Sequence, residues 1–553
     1  DADDLISEQY LEYCYWGLYF NKDADWAYTW SVGFQNNMYL WKKPFNAEEI
    51  KQNNTLVLTS AIRKSLWEQV GGFKKEEIAY NEDWRFWLDC LSLSKKPVCL
   101  AGYHFWYRRT DEGMLNTLKN DDIRVYLSDR ITENAAKTVD KNVRAKHYPI
   151  NSCDNLYSFN DNTEWALEYT VEKNNNIRML WIVPWVVMGG ADKFNIDAAK
   201  GLSERGYDIS IMTTIPSDNE WLYKCKEFTD EIFCLPDFID ETNYLSFVDY
   251  YIKSRQIDIL MVTNSTVGYY MVPYIRQKYP KMVIVDYVHM EEWYWKAGGH
   301  ARTSSRLSDI TDMTFVCNSA TERVMIDQLG HPAESINTLH IGVDSDTFYK
   351  DIVEEGFLYR LAQLDENRPI VLFPCRIHPQ KRPFMVIDIA KKASRIVPNI
   401  AFVVVGDGPQ LEELKQTIKK NGLEHTIICI GATDRMAECY KDAKLTLICS
   451  LKEGLALTAY ESCSMGVPVI SSDVGGQGDL IDWEVGALIS LCQDEETSLD
   501  CREYNESEVD EYAKAICDYL QDDKRYKSAA KKCRERIVND FSVNRMVEKL
   551  DNN

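Results

Sequence analysis

The sequence predicts an α/β protein: two doubly wound units of parallel sheet and helix, preceded by a smaller, incomplete α/β block. Two observations carry this expectation. From Ile177 onward, short apolar runs bounded by turn residues alternate with segments of helical period, the pattern of parallel sheets covered on both faces. Those runs fall into two sets, and a Gly-containing turn, HIGVDSDTF, separates them near residue 345.

Taken in order, residues 1–115 are rich in Trp and Tyr, with clusters such as WRFWLDC and YHFWYRR. Residues 116–176 are polar. They hold a helical segment, DDIRVYLSDRITENAAKTV, and an Asn-rich stretch ending in EKNNN that reads as a linker because it has little to bury. The first set of strands, in residues 177–345, is RMLWIV, DISIMTT, EIFCL, DILMVT, MVIVDYVH and TFVCNS. The second, in residues 346–553, is PIVLFP, AFVVVG, TIICIG, LTLICS and PVISS, and the chain from about Val509 is helical and amphipathic. Two such units facing each other would leave a cleft at the C-terminal edges of their strands, where these folds bind ligands.

Composition narrows the function. With 45% hydrophobic and 27% charged residues, the 553-residue chain has the make-up of a soluble globular protein, and no run approaches a membrane span. A net charge of −23 argues against nucleic acid, which needs a basic surface, while leaving room for peripheral membrane docking through a local basic patch. The 16 cysteines are scattered, and several sit in apolar runs (Cys375, Cys429, Cys449), as expected in a reducing cytoplasm. The opening DADDLISEQY has neither signal-peptide layout nor initiator Met, so the chain is expected to start inside a longer protein.

The chemistry concentrates in LTLICSLKEGLALTAYESCSMGVPVISSDVGG. A strand there runs into a loop carrying Glu453 and Gly454, and a helix starts near Leu457. A helix N-terminus offers unpaired N–H groups to a diphosphate, and Gly454 lets backbone approach a ligand. Glu453 and Glu461 can accept hydrogen bonds from sugar and ribose hydroxyls; the bland alternative is a solvated helix face. Upstream, PIVLFPCRIHPQKRPF places Arg376 and Lys381 after the first strand of the same unit. There they can neutralise a departing nucleoside diphosphate, unless, with Arg382, they form only a basic surface turn. The turn Gly406-Asp407-Gly408-Pro409 suits a cleft rim. In the first unit, Gly189 and Gly190 stand between strand and helix, a phosphate-cradling arrangement without the full dinucleotide fingerprint, and His289 ends a strand at the cleft edge.

In this order these motifs resemble glycosyltransferase family 4, retaining enzymes with the two-Rossmann-domain GT-B fold, over about Ile177 to Asn553. The resemblance implies that residues 177–345 form the acceptor side and 346–553 the donor side. Arg376 and Lys381 would grip the donor diphosphate, and Glu461 would bind the ribose. Glu453 with the backbone of Gly454 and Leu455 would hold the sugar. His289 would lie near its reacting face, and Gly189 and Gly190 near the phosphates. The catalytic group is then Glu453, His289, Arg376 and Lys381. The donor would be UDP-, GDP- or dTDP-linked and the sugar would pass to a glycan or lipid-linked acceptor in bacterial surface polysaccharide or glycoconjugate synthesis, with no metal required. Two other readings stand beside it: a sugar-nucleotide epimerase on the same fold, and a glycan-binding scaffold without catalysis.

Residues 1–115 are similar to the second half of glycosyltransferase family 2, inverting enzymes with the single-domain GT-A fold. The resemblance rests on Asp1-Ala2-Asp3 as a D-x-D motif and on the Gly-Gly-Phe turn followed by Glu82 and Asp83 at the start of an aromatic helix. It implies a remnant metal-diphosphate site at Asp1 and Asp3 and a remnant general base at Asp83. The family's nucleoside-binding half does not precede the motif here. A divalent metal, Mn or Mg, would therefore be needed only if a longer parent protein completes the module.

Overall fold

A computed structural model describes residues 3–57, 59–74, 82–110, 133–150, 159, 169–293, 295–493 and 499–552. The chain divides into two compact units: residues 1–187 with 207–282, and residues 188–206 with 283–553. The division thus falls within the segment that the sequence assigns to its first doubly wound unit.

The first unit opens with a mixed sheet. Its strands are β1 (Leu5–Ile6), β2 (Trp26–Gln35), β3 (Tyr39–Trp41), β4 (Ala61–Ile62), β5 (Pro97–Arg109) and β6 (Lys146–His147). Their order is β1-β5-β2-β3, with β4 on β2 and β6 on β5. Trp26 and Trp87 are fully buried and stack at 5.2 Å, which anchors the helix Glu82–Ser92 to the sheet. One expectation is corrected here. The polar stretch 116–176, read as a helix followed by a linker, contributes β6, and its Ala135, Ala136, Val139 and Val143 enter the core of this block. These apolar residues, scattered in a polar stretch, find burial only in the fold. Of the helix proposed over 121–139, residues 133–139 are among the described ones, and 133–136 are helical.

The helix Tyr10–Phe20 is apolar nearly all round and is accordingly buried. It is held against the rest of the unit by Glu12, which pairs with Arg255 through both carboxylate oxygens at 2.6 Å. Tyr13 Oη accepts the Cys234 N–H at 2.9 Å, and Trp16 packs on Phe247 and Tyr250. Behind it lie the parallel strands β7 (Arg178–Val183), β8 (Asp208–Thr213), β9 (Ile232–Cys234) and β10 (Ile259–Thr263), ordered β10-β7-β8-β9.

The second unit holds β11 (Val283–Val288), β12 (Met313–Val316) and β13 (Ile336–Thr338), parallel and in that order. It also holds a six-stranded parallel sheet of β14 (Ile370–Pro374), β15 (Ala401–Val405), β16 (Ile427–Gly431), β17 (Leu445–Ile448), β18 (Val469–Ser472) and β19 (Gly486–Ile489). Its order is β16-β15-β14-β17-β18-β19. Alternate residues of β14 and β15 supply two cores: Val371, Phe373, Phe402 and Val404 on one face, and Ile370, Leu372, Ala401 and Val403 on the other. This two-sided burial is why the strands read as unbroken apolar runs, each such side chain contributing roughly 1.5–3 kcal/mol. The order reverses between β14 and β17, the position at which open α/β sheets leave a crevice at their C-terminal edge. Among the described residues, no helix is long and apolar enough to cross a membrane.

Candidate active site

The loops after β14 and β17 meet at that reversal point. After β14 the chain makes a short turn over Pro379–Lys381, and Arg382 follows with φ +47°. The Gly406–Pro409 turn braces it from below. Cys375 N–H donates to Val405 O at 3.0 Å and Ile377 N–H to Asp407 O at 2.9 Å. At Gly406, φ is +145° and a Cβ would stand 1.9 Å from Cys375 O, so only glycine fits. The two loops are laced together by Leu451 N–H to Gln380 O at 2.8 Å and by the Gln380 side-chain amide to Lys452 O at 2.9 Å.

On this framework Lys381 forms an ion pair with Glu453, which is 8% exposed and also accepts a hydrogen bond from Ser450 Oγ. Arg376 is exposed and forms no ion pair among the described residues. Arg382 goes elsewhere. The expectation of a three-cation surface turn fails for it, because its guanidinium is buried against Glu508 at 2.6 Å. A sequence does not distinguish a cation aimed outward from its neighbour aimed into the core.

Gly454 is clamped by backbone. Its carbonyl accepts from Asn318 Nδ2 at 3.0 Å and from Gly476 N–H at 2.9 Å, and a Cβ on it would stand 2.7 Å from His289 O. Gly475, at φ +54°, lies so close that a Cβ there would be 1.7 Å from Glu453 O. The chain then passes Leu455 and enters the helix Leu457–Ser464, which no side chain caps at its N-terminus. Its leading N–H groups suit an anion. Glu461, on this helix, accepts from Tyr440 Oη at 3.0 Å. Burial pushes its carboxyl up to about 7, with Tyr440 and Lys193 pulling the other way.

Gly189 is the N-cap of the helix Gly190–Ser203, also without a side-chain cap, and a Cβ on Gly190 would touch Leu457 at 3.2 Å. The two helix N-termini therefore come together. His289 follows β11 with its ring edge-on to Phe194 at 5.6 Å. Its carbonyl accepts the Cys317 thiol at 2.6 Å, while its buried Nε2 has no hydrogen-bond partner. Burial, with His300 adding to it, lowers its pKa to about 3, so the imidazole is neutral at physiological pH.

The structure therefore gathers Gly189, Gly190, His289, Arg376, Lys381, Glu453, Gly454, Leu455 and Glu461 within one unit. Three supports went unassigned in the sequence. Asn318 caps its own helix through Oδ1 while holding Gly454. Asp479 accepts from Ser319 N–H at 2.8 Å and meets His340 Nε2 at 2.9 Å. Lys452 pairs with Glu291 at 3.5 Å. The one sequence signal was Asn318 at the head of the NSATE segment, a residue type favoured at a helix N-cap.

Against known families, residues 360–536 match the model described as glycosyl transferases group 1. This stretch is similar to a glycosyl transferases group 1 domain. It contains Arg376, Lys381, Glu453, Gly454, Leu455 and Glu461, whereas Gly189, Gly190 and His289 lie before it. The chain is similar to an Escherichia coli UDP-Gal:alpha-D-GlcNAc-diphosphoundecaprenol alpha-1,3-galactosyltransferase, 26% identical over 233 residues, covering 41% of this chain and 56% of that one. It is also similar to a Mycobacterium tuberculosis GDP-mannose-dependent alpha-(1-6)-phosphatidylinositol monomannoside mannosyltransferase, 29% identical over 193 residues, covering 33% and 50%. The chain thus spans about half the length of the curated relatives it matches. Among solved structures, Anabaena HepE in complex with UDP aligns at TM-score 0.56 and 18% identity over 68% of this chain and 99% of that one. Sucrose-phosphate synthase from Thermosynechococcus elongatus aligns at TM-score 0.54 and 17% identity, over 68% and 98%. The fold around the group 1 domain is the GT-B fold of glycosyltransferases.

In the N-terminal block, Asp83 accepts from Asn54 Nδ2 at 2.8 Å, and burial raises its pKa. Asp4 Oδ1 accepts the Arg108 N–H at 2.9 Å, and Arg108 Nε donates to the Asp3 carbonyl at 2.6 Å. Asp1 and Ala2 of the D-x-D motif lie outside the described residues.

Proposed function

We propose that the protein is a retaining glycosyltransferase that moves a sugar from a nucleotide-sugar donor to a glycan or lipid-linked acceptor in surface polysaccharide or glycoconjugate synthesis. The observation that carries this is the Lys381–Glu453 pair at the sheet's reversal point, with exposed Arg376 on the same loop and two uncapped helix N-termini beside it. The donor diphosphate takes the helix N-terminus, Arg376 and Lys381. As Lys381 turns to the phosphate, Glu453 is freed to accept a hydrogen bond from a sugar hydroxyl. Glu461 meets the ribose. The anomeric C–O bond to the diphosphate breaks, and the acceptor oxygen bonds the same face of the anomeric carbon. Its proton passes to the leaving phosphate oxygen. Protein cations and N–H groups stabilise that leaving group, and the neutral His289 Nε2 orients the sugar, so no step calls for a metal.

A UDP- or GDP-linked donor and a polyprenyl-diphosphate or phosphatidylinositol-type acceptor are supported by the names of the two relatives above. The test pairs donor binding with stereochemistry. UDP, GDP or dTDP should raise the unfolding temperature, a ligand at a hundredfold excess over Kd contributing ~2.7 kcal/mol. Anomeric NMR should show a retained product with and without EDTA. An inverted product, or an isomerised donor without transfer, would refute the proposal.

A further inference from the structure

Arg382 sits beside Lys381 yet turns away from the crevice, and it does so against three stability costs. It is a non-glycine residue at φ +47°, a conformation that strains a side-chain-bearing residue. Its ion pair with Glu508 is withdrawn from water, each side chain being 1% exposed, and a pair of apolar residues in such a place is often as stable or more so. Its Nη1 is buried with no hydrogen-bond partner. What the guanidinium secures is geometry. Its Nε donates to Cys449 O at 2.5 Å, just before Ser450 and the Glu453 loop, while its own backbone carries Lys381. Glu508 completes the bolt from the helix Glu506–Gln521, where its other oxygen accepts the Cys492 N–H at 3.3 Å and Tyr512 Oη donates to Ile448 O at 3.2 Å. Both members of the Lys381–Glu453 pair therefore hang from one buried side chain.

We infer that the Arg382–Glu508 pair is a positioning device that sets Lys381 and the Glu453 loop at the spacing needed to receive the donor diphosphate. This inference rests on the reading of Lys381 and Glu453 given above. A displacement of about 1 Å in such a site costs on the order of 10²-fold in rate. A residue that only stabilised the fold would change unfolding temperature and leave phosphate recognition alone.

The experiment measures, by calorimetry on the full chain, how much tighter the diphosphate binds than the monophosphate: UDP against UMP and GDP against GMP. It is run on wild type, Lys381→Met, and two double variants. Arg382→Gly with Glu508→Gln suits the left-handed backbone, and Arg382→Met with Glu508→Met fills the space with apolar atoms. Circular dichroism establishes that each is folded. Nucleotide release from UDP-galactose and GDP-mannose supplies kcat. In the double variants the diphosphate preference should fall at least tenfold, towards that of Lys381→Met, and kcat should fall with it. A preference within twofold of wild type in a folded double variant overturns the inference. Should neither double variant fold, Glu508→Gln decides: a threefold loss of preference supports the bolt, and an unchanged value overturns it. If Lys381→Met itself leaves the preference unchanged, the assignment of the site fails, and this inference falls with it.

Discussion

Glu453 and Asp83 are both carboxylates near the start of a helix, and their surroundings differ in kind. Around Glu453 stand a paired lysine, an exposed arginine on the same loop, an uncapped helix N-terminus and three backbone close approaches. Among the described residues, Asp83 accepts from an asparagine side chain and from the Trp84 N–H, and burial disfavours its charged form. A carboxylate becomes a reaction centre when cations and N–H groups converge to receive the charge that develops. Without them it is a held side chain. The first helix of the N-terminal block is keyed by Glu12 and Tyr13 into the strands and helices of residues 207–282.

Four measurements would sharpen or break that contrast. The largest effect is expected at the key itself. Arg255→Met leaves the largely buried Glu12 carboxylate its hydrogen bond from Tyr250 Oη but no paired cation, and removing one member of such a pair costs about 3–5 kcal/mol. Chemical denaturation measures it, and a loss below 1 kcal/mol would return the N-terminal block to the status of an appendage.

Next, Lys381→Ala or Arg376→Ala should lower kcat by ~10²–10³ with little change in unfolding temperature. Steady-state kinetics on a verified donor, with calorimetric scans alongside, decide the matter. Wild-type turnover in the Lys381 variant would contradict the site.

The third test uses pH. The Glu461 carboxyl is raised from 4.5 to about 7, so the folded state holds its proton more tightly than the unfolded state. Its cost to stability is absent below pH 4.5, develops between pH 4.5 and 7, and is complete above, reaching ~3 kcal/mol at most. Glu461→Gln should therefore raise the unfolding temperature at pH 8, leave it unchanged at pH 4, and weaken nucleotide binding at both. Equal shifts at the two pH values would show that burial does not govern this carboxyl.

The smallest effect belongs to Asp83→Asn. Turnover should stay within twofold of wild type, with a slight gain in unfolding temperature at pH 7 and none at pH 3, since the raised pKa of Asp83 penalises only its ionised form. Loss of activity in this variant would make the first block the working enzyme.

The sheets were legible because each strand of β14 and β15 is apolar on both faces, and the same letters that bury them announce them. The Glu453–Glu461 segment was legible because a loop, a glycine and a helix start occur in one short stretch. What stayed hidden acts across long separations. Arg382 meets Glu508 126 residues on, and Asn318 meets Gly454 136 residues on. Lys146 and Tyr148 leave their polar segment to bind Asp240. No local period encodes such pairings. Arg382 in particular reads like its two basic neighbours until its rotamer is known.

The helix Gly190–Ser203 also bears on how the protein is made. Its Gly201 is packed so closely on Val547, in the helix Val543–Asn552, that a Cβ on the glycine would stand 2.4 Å from Val547 Cγ2. Val547 leaves the ribosome roughly 350 residues after Gly201, which at about 5–20 residues per second is about 20–70 s later. Throughout that interval the face that carries Gly201 lacks this contact, and the seam closes only once the helix Val543–Asn552 has been made. A stop codon ahead of Val543 would release a chain with the loops after β14 and β17 complete and that seam still open.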